Sequence, residues 1–216
     1  MRLTHWLVAA SVIALLVSGT AILLALPRLF WGETGANAAP AWLTLPLPVN
    51  LEQTGWGRNL HFLAAWMFVL SGAFYLGMGF LTGHVGRRLW PDRDQVRPAA
   101  IAAEIRARLT LGPPKHEPAA RYNVMQKVTY LLVVLALGPL VVLSGVTMSP
   151  GMTAAFPELF WLFGGRQSAR TIHFFAACAT ALFLLVHVWQ VLVNRPGRLL
   201  RDMTIGPHRS RTEGRP

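Results

Sequence analysis

Two histidines, His173 and His187, lie in one long uncharged stretch near the end of the chain. The stretch covers residues 171–193 and is long enough to cross a bilayer as a helix. The separation of 14 residues between the histidines corresponds to about 21 Å of helical rise and places both imidazoles on one face. A histidine in a membrane span is costly and indicates a functional site, here a pair of metal or cofactor ligands. The alternative is two hydrogen bonds between helices.

Three more uncharged runs make this an integral membrane protein. The 216 residues are 53% hydrophobic and 13% charged, an unusual balance for a soluble domain. We predict an all-α, integral membrane four-helix bundle in one domain, residues 1–205. The predicted spans are residues 6–26, 60–81, 128–149 and 171–193. The only cysteine, Cys178, excludes a disulfide framework, a thiolate cluster and a covalent haem attachment motif.

The net charge is +11, and the basic residues lie outside the spans. Their distribution is therefore a signal of membrane topology, and we predict that nucleic acid is not a partner. Residues 84–127 hold nine Lys and Arg and the tail after residue 193 holds six, whereas the other two connections hold two each. The positive-inside rule then predicts cytoplasmic termini and a multi-pass location in the bacterial cytoplasmic (inner) membrane. Contact with membrane lipid follows.

Three local signals add detail to this arrangement. Pro139 predicts a kink in the third span. Residues 156–165 predict a short helix on the outer surface, and residues 206–216 predict a disordered cytoplasmic tail.

This topology sorts four histidines into two pairs by depth. His61 opens the second span at the outer side, level with His173. His5 precedes the first span at the inner side, level with His187. Two bis-imidazole sites at different depths predict two haem b groups stacked across the bilayer. Zinc fits poorly, since two histidines leave its tetrahedral shell unfilled; a proton relay stays open, although the spans lack Asp and Glu.

Small and basic residues near these histidines are further candidates. Gly19 follows His5 by 14 residues and could present bare backbone to the outer haem, or it could serve ordinary helix packing. Arg58 and Arg170 lie beside the outer pair and could hold haem propionates, although interfacial arginines need no such role. The same packing ambiguity applies to Gly72, Gly138 and Gly145.

These motifs resemble the bacterial four-helix, di-haem cytochrome b family of the cytochrome b561 and nickel-hydrogenase b-type cytochrome kind. The resemblance rests on Arg-x-x-His-Trp at residues 2–6, the histidine opening span two, and His-x13-His in span four. It covers nearly the whole chain. The family includes formate dehydrogenase gamma subunits and thiosulfate reductase cytochrome b subunits.

The resemblance implies electron transfer between the quinone pool and a partner oxidoreductase. The partner would be a molybdopterin enzyme or an iron–sulfur subunit at the outer face. The family's quinone site maps onto Asn123 and Gln126, whose amides can hydrogen-bond a quinone carbonyl.

Two other classes of function stay open. One is a stand-alone di-haem superoxide:quinone oxidoreductase, which needs no partner. The other is a haem-free membrane anchor or transporter.

Overall fold

Helices dominate the computed structural model, which describes residues 2–33, 39–83, 97–99, 102, 106, 124–193 and 196–206. The helices are α1 (Arg2–Ala25), α2 (Thr54–Leu81, after a 3-10 turn at Leu51–Gln53), α3 (Val124–Leu131), α4 (Gly138–Thr147), α5 (Pro150–Ala155), α6 (Pro157–Phe163), α7 (Arg166–Val193) and α8 (Pro196–Thr204). A π-helical segment, Leu132–Leu137, joins α3 to α4.

Four helical segments are long and apolar enough to cross a membrane, which confirms the four predicted spans. They are Arg2–Ala25, Leu51–Leu81, Lys127–Thr147 and Arg166–Val193.

All four spanning helices begin earlier than the uncharged runs predict: α1 begins at Arg2 rather than at residue 6, and α3 begins at Val124 rather than at residue 128. Helix α2 begins at Thr54 rather than at residue 60, and α7 begins at Arg166 rather than at residue 171. The uncharged-run criterion stops at an arginine, whereas an arginine at a helix end can extend its head to the polar boundary while the helix continues. The predicted disordered tail lies outside the described residues, apart from Gly206.

A small antiparallel ladder adds two strands that the all-α prediction did not include. Strands β1 (Arg28–Leu29) and β2 (Leu43–Thr44) pair Arg28 with Thr44 and Leu29 with Leu43. The backbone N–H of Trp42 also donates to the Leu29 carbonyl at 2.8 Å. The ladder satisfies backbone groups within the connection between α1 and α2.

The predicted distortion near Pro139 takes the form of the π-helical segment. The Gly138 N–H donates to the Val133 carbonyl, five residues earlier, immediately before the proline. Proline lacks an N–H, and its ring clashes with the carbonyl four residues back in a regular α-helix. A widened turn before Pro139 relieves that clash, and such π turns are a known cause of helix distortion.

The described residues form two units, each of which has its own internal packing. The first unit comprises Met1–Pro27, Leu45–Ser71 and Ala177–Pro216. In it, α1 approaches α2 closely where both carry small residues. A Cβ added at Gly57 would lie 3.2 Å from the Ala21 Cβ and 3.4 Å from the Ser18 carbonyl oxygen. Close backbone approach through small residues is the usual way in which membrane helices associate.

The first unit also joins the two ends of the chain. The indole N–H of Trp6 donates to the Met203 carbonyl of α8 at 3.1 Å. Gly206 has a φ of +112°, and a Cβ there would lie 2.7 Å from the Arg2 Nη1. The C-terminal backbone therefore passes the start of α1 closely, at a residue type that allows it.

The second unit comprises Arg28–Thr44 and Gly72–Ala176, and in it a loop caps the start of α7. The Gly32 carbonyl accepts from the backbone N–H groups of Gln167 and Ser168, at 3.1 and 3.3 Å. The Gly32 N–H donates to Ser168 Oγ at 2.7 Å. Thr171 Oγ1 donates to the Phe30 carbonyl at 2.7 Å. The two bonds to the Gly32 carbonyl satisfy N–H groups that a helix start otherwise leaves unpaired, and the other two fasten the loop to side chains of α7.

The predicted short helix at residues 156–165 is confirmed as α6, and α5 precedes it in the same unit. Arg166 donates from Nη2 to Thr153 Oγ1 of α5 at 3.2 Å. Gly165, with a φ of +106°, makes the turn into α7, where a Cβ would lie 2.6 Å from the Gly32 carbonyl oxygen. Only glycine fits this turn.

Candidate functional site

His5 and His187 come together in the first unit, as the sequence predicts for the inner pair. Their ring centroids lie 6.2 Å apart with the planes tilted by 54°. Trp6 stacks on His5 at 5.4 Å, and Phe183, one turn earlier on α7, stacks on His187 at 5.7 Å. Both imidazoles are half-buried. An aromatic neighbour thus packs against the face of each imidazole.

This separation fits two imidazoles that share one metal. Rings that ligate a metal from opposite sides through bonds of about 2 Å have centres about 6 Å apart. Within the described residues, no group of three or more His, Cys, Asp or Glu side chains could hold a metal ion. The donor set therefore suits a metal whose other positions are filled by its own macrocycle, as in haem.

His61 meets helix α1 at Ser18 in the first unit. Ser18 Oγ lies 3.0 Å from His61 Nδ1 and donates its proton to the Ala14 carbonyl at 2.6 Å. The carbonyl of Leu15 is a further hydrogen-bond partner of the imidazole. Ser18 is fully buried and His61 is half-buried.

His173 meets helix α4 in the second unit. Its Nδ1 lies 2.9 Å from the Val141 carbonyl and 3.2 Å from Ser144 Oγ. Ser144 is fully buried and donates to the Leu140 carbonyl at 2.6 Å. The serine hydroxyl therefore offers the imidazole a lone pair.

These contacts decide which nitrogen of each ring carries the proton. A carbonyl only accepts, so His173 Nδ1 must donate to Val141. Ser18 has committed its proton to Ala14, so His61 Nδ1 donates to the hydroxyl. In both neutral rings Nε2 keeps its lone pair, which is the form a metal ligand requires. His61 belongs to the first unit and His173 to the second.

Gly19, which the sequence predicts to present backbone to the outer haem, lies beside one of the predicted ligands of that haem. A Cβ at Gly19 would have the His61 ring as its neighbour, 3.5 Å from Cε1. Gly145 has the same relation to His173, with a Cβ only 3.2 Å from Cε1. A Cβ at Gly72 would meet no atom within 4 Å. Gly19 and Gly145 therefore let a histidine ring approach a helix backbone.

The other predicted site residues are two arginines and two amide residues. Arg58 is exposed on α2 and Arg170 is half-buried on α7. Asn123 lies outside the described residues, and of Gln126 only the helical backbone is described. The next residue, Lys127, is 6% exposed, which is a costly environment for an ammonium group.

Sequence reasoning missed the two serines that contact histidines. Each precedes one of the two glycines, at residues 18–19 and 144–145, and a third Ser-Gly pair occurs at residues 71–72. The repeated dipeptide is the signal that could have found them. It does not, however, tell which of the three lies beside a histidine.

Helices long and apolar enough to span a membrane, half-buried histidines with hydrogen bonds at Nδ1, and a histidine pair at metal-sharing distance are features of a membrane haem protein. The family profile described as "Prokaryotic cytochrome b561" matches residues 1–206. The chain belongs to this family of haem b proteins, and it is a multi-pass bacterial membrane protein. Membership disfavours the haem-free alternative.

One curated relative is similar over most of both chains. It is the Azospira oryzae protein named "Putative protein-methionine-sulfoxide reductase subunit YedZ1", 29% identical over 194 residues, which cover 88% of this chain and 87% of the relative. No solved structure matches the chain.

Proposed function

We propose that the chain is a di-haem membrane subunit that passes electrons between the quinone pool and a partner oxidoreductase at the outer face. The observation that carries this proposal is the 6.2 Å separation of the His5 and His187 rings. Two neutral imidazoles at that distance could hold one haem iron between them. Family membership over residues 1–206 supports the same cofactor.

The second haem is proposed to bind to His61 and His173 at the outer depth. The pairing rests on the positions of the two histidines at the outer ends of spans two and four. Each ring has its Nδ1 proton engaged, which leaves Nε2 for the iron. Arg58 and Arg170, at the same ends of the same helices, are proposed partners of the propionates.

When bound, haem iron with two imidazole ligands supplies one-electron transfer and does not readily bind oxygen. The chain's own residues supply the rest. Four histidines set the depth of the ligands, and Trp6 and Phe183 hold the inner rings. The apolar spans keep water from the site, which leaves the redox chemistry to the cofactor.

The proposed orientation places both termini and residues 84–127 in the cytoplasm, and therefore His5 and His187 on the inner side. The quinone would bind near Asn123 and Gln126, at the cytoplasmic start of the third span. The burial of Lys127 beside them supports a polar site there, because a buried ammonium group needs polar surroundings.

The proposed partner is a reductase that acts on an oxidised sulfur compound, built on a molybdopterin or iron–sulfur subunit. The name of the Azospira oryzae relative assigns that protein to a reductase of methionine sulfoxide in proteins. A reductase consumes electrons, so we propose flow from quinol at the inner side to the partner at the outer side.

Haem content tests this function. We expect detergent-purified wild type to contain two non-covalent b haems by dithionite-reduced spectrum, and His61→Ala to contain about one. His116→Ala, a histidine predicted to lie on the cytoplasmic surface, is the matched control and should keep two. A folded wild type without haem would refute the proposal.

A further inference from the structure

The two proposed ligands of the outer haem have the same surroundings, although they lie on different helices. In each case a fully buried serine places its Oγ near Nδ1, at 3.0 Å for His61 and 3.2 Å for His173. In each case the carbonyl three residues before the serine also accepts from the imidazole. In each case the next residue is a glycine that lies beside the ring.

The serine hydroxyls act as acceptors in both arrangements. Each serine donates to the carbonyl four residues earlier, that of Ala14 or Leu140, at 2.6 Å. This bond orients the hydroxyl within its own helix and leaves a lone pair toward the imidazole. The Nδ1 proton is therefore shared between a hydroxyl and a carbonyl oxygen.

The inner pair differs. Among the described residues, His5 and His187 have aromatic stacking partners and each other, but no hydrogen-bond partner for either ring. The chain thus treats the two proposed haems unequally: it engages the Nδ1 protons of the outer ligands and leaves those of the inner ligands without such acceptors in the part of the chain that is described.

We propose that Ser18 and Ser144 are positioning residues that lower the reduction potential of the outer haem through His61 and His173. An acceptor at Nδ1 makes the ligating nitrogen more basic and fixes the ring's orientation. A more basic ligand favours the oxidised iron, so the potential falls. This inference rests on the proposed haem ligation and adds residues that act through the ligands.

The test is a spectroelectrochemical titration of purified protein in which the two haems are followed separately. We expect Ser18→Ala and Ser144→Ala each to keep two haems and to raise the potential of one haem only. Loss of a hydrogen-bond partner of a ligating histidine typically changes metal affinity or activity by at least about tenfold. We expect a change of that size in the equilibrium between oxidised and reduced iron. For a one-electron couple a tenfold change corresponds to about 59 mV.

Ser71 provides the matched control, because it is buried, precedes a glycine and bonds to its own helix in the same way. Its Oγ donates to the Met67 and Phe68 carbonyls, and within the described residues it contacts no histidine. Ser71→Ala should leave both potentials unchanged. An equal shift in Ser71→Ala would show that removal of a helix hydroxyl is enough, and it would overturn the proposal.

A rescue variant separates the hydroxyl's role from packing. Ser18→Thr and Ser144→Thr keep the hydroxyl and its helix bond, so we expect potentials closer to wild type than in the alanine variants. If an alanine variant loses the outer haem, the threonine variant should retain it. Unchanged potentials in both alanine variants, or equal shifts in the alanine and threonine variants, would refute the inference.

The failure of this inference is distinguishable from that of the proposed function. Haem content of wild type and His61→Ala decides whether the histidines are ligands. The potentials of the serine variants decide only how those ligands are tuned. Two haems with potentials that do not respond to the serines would leave the proposed function intact.

Discussion

The imidazoles of His5 and His187 lie with their centroids 6.2 Å apart, although they come from opposite ends of the chain. A metal shared by the two rings would therefore link α1 to the end of α7. Because one iron needs both ligands, removal of either histidine should remove the same haem. The two histidines would then act as one ligand pair.

The first prediction concerns this ligand pair. His5→Ala and His187→Ala should each lower haem content from two to about one, and the double variant should lose no more than either single variant. Neighbouring residues that share one partner are not additive. Haem per polypeptide measures this directly. Loss of both haems in the double variant, with one retained in each single variant, would contradict a shared metal.

The second prediction concerns the glycines beside the outer histidines. A Cβ at Gly145 would come within 3.2 Å of His173 Cε1, closer than an ordinary contact, whereas one at Gly19 would stay 3.5 Å from His61 Cε1. Gly145→Ala should therefore displace its histidine and alter the reduced spectrum of one haem. Gly19→Ala is the control and should leave the spectrum close to wild type.

The spectra of these two variants can also show that the contacts are unimportant. Equal spectra for Gly145→Ala and wild type would mean that His173 accommodates the methyl group without moving its Nε2. A larger effect of Gly19→Ala than of Gly145→Ala would contradict the described approach of both rings.

The third prediction concerns the loop that caps α7. Thr171 is 1% exposed and donates to the Phe30 carbonyl, so Thr171→Val leaves a buried acceptor without its partner. We expect a loss of about 1–3 kcal/mol in stability, measured by thermal or denaturant unfolding in detergent.

Thr147→Val is the matched control for this loss. Thr147 is equally buried, but its hydroxyl donates only to the Leu143 carbonyl of its own helix among the bonds described. That carbonyl keeps its helical N–H donor, so the substitution should cost far less. Similar losses in the two variants would show that the loop bond contributes nothing of its own.

The fourth prediction tests the quinone site. Asn123→Ala should retain both haems and slow their reduction by quinol, because an amide that holds a quinone carbonyl is lost. Asn59→Ala, an exposed residue in the part of α2 that we propose faces outward, is the control and should reduce at the wild-type rate. Undiminished reduction in Asn123→Ala would place the quinone elsewhere.

Local composition was sufficient to predict the four spans and the histidines within them. Backbone groups in a bilayer must be satisfied within each segment, so a long uncharged run has few structures other than a helix. The local sequence also predicted the distortion before Pro139, because proline disturbs the helix in which it lies. It did not predict where α2 and α7 begin, because an arginine ends an uncharged run without ending a helix.

Only the tertiary structure showed which serines contact His61 and His173. The sequence contains three Ser-Gly pairs of equal appearance, yet Ser18 and Ser144 contact imidazoles, whereas Ser71 bonds to its own helix. Gly19, which the sequence predicts to face a cofactor, has the His61 ring as its neighbour.

The physical reason is that lipid tails and protein interiors are both apolar. Hydropathy therefore sets the length of a membrane helix but hardly sets its rotation about its own axis. Contacts between helices depend on that rotation, and they are made by packing and hydrogen bonding. The sequence by itself determined which segments are long and apolar enough to cross the membrane and which histidines they carry, and it predicted that His5 meets His187; the tertiary structure decided that Ser18 contacts His61 and that Ser144 contacts His173.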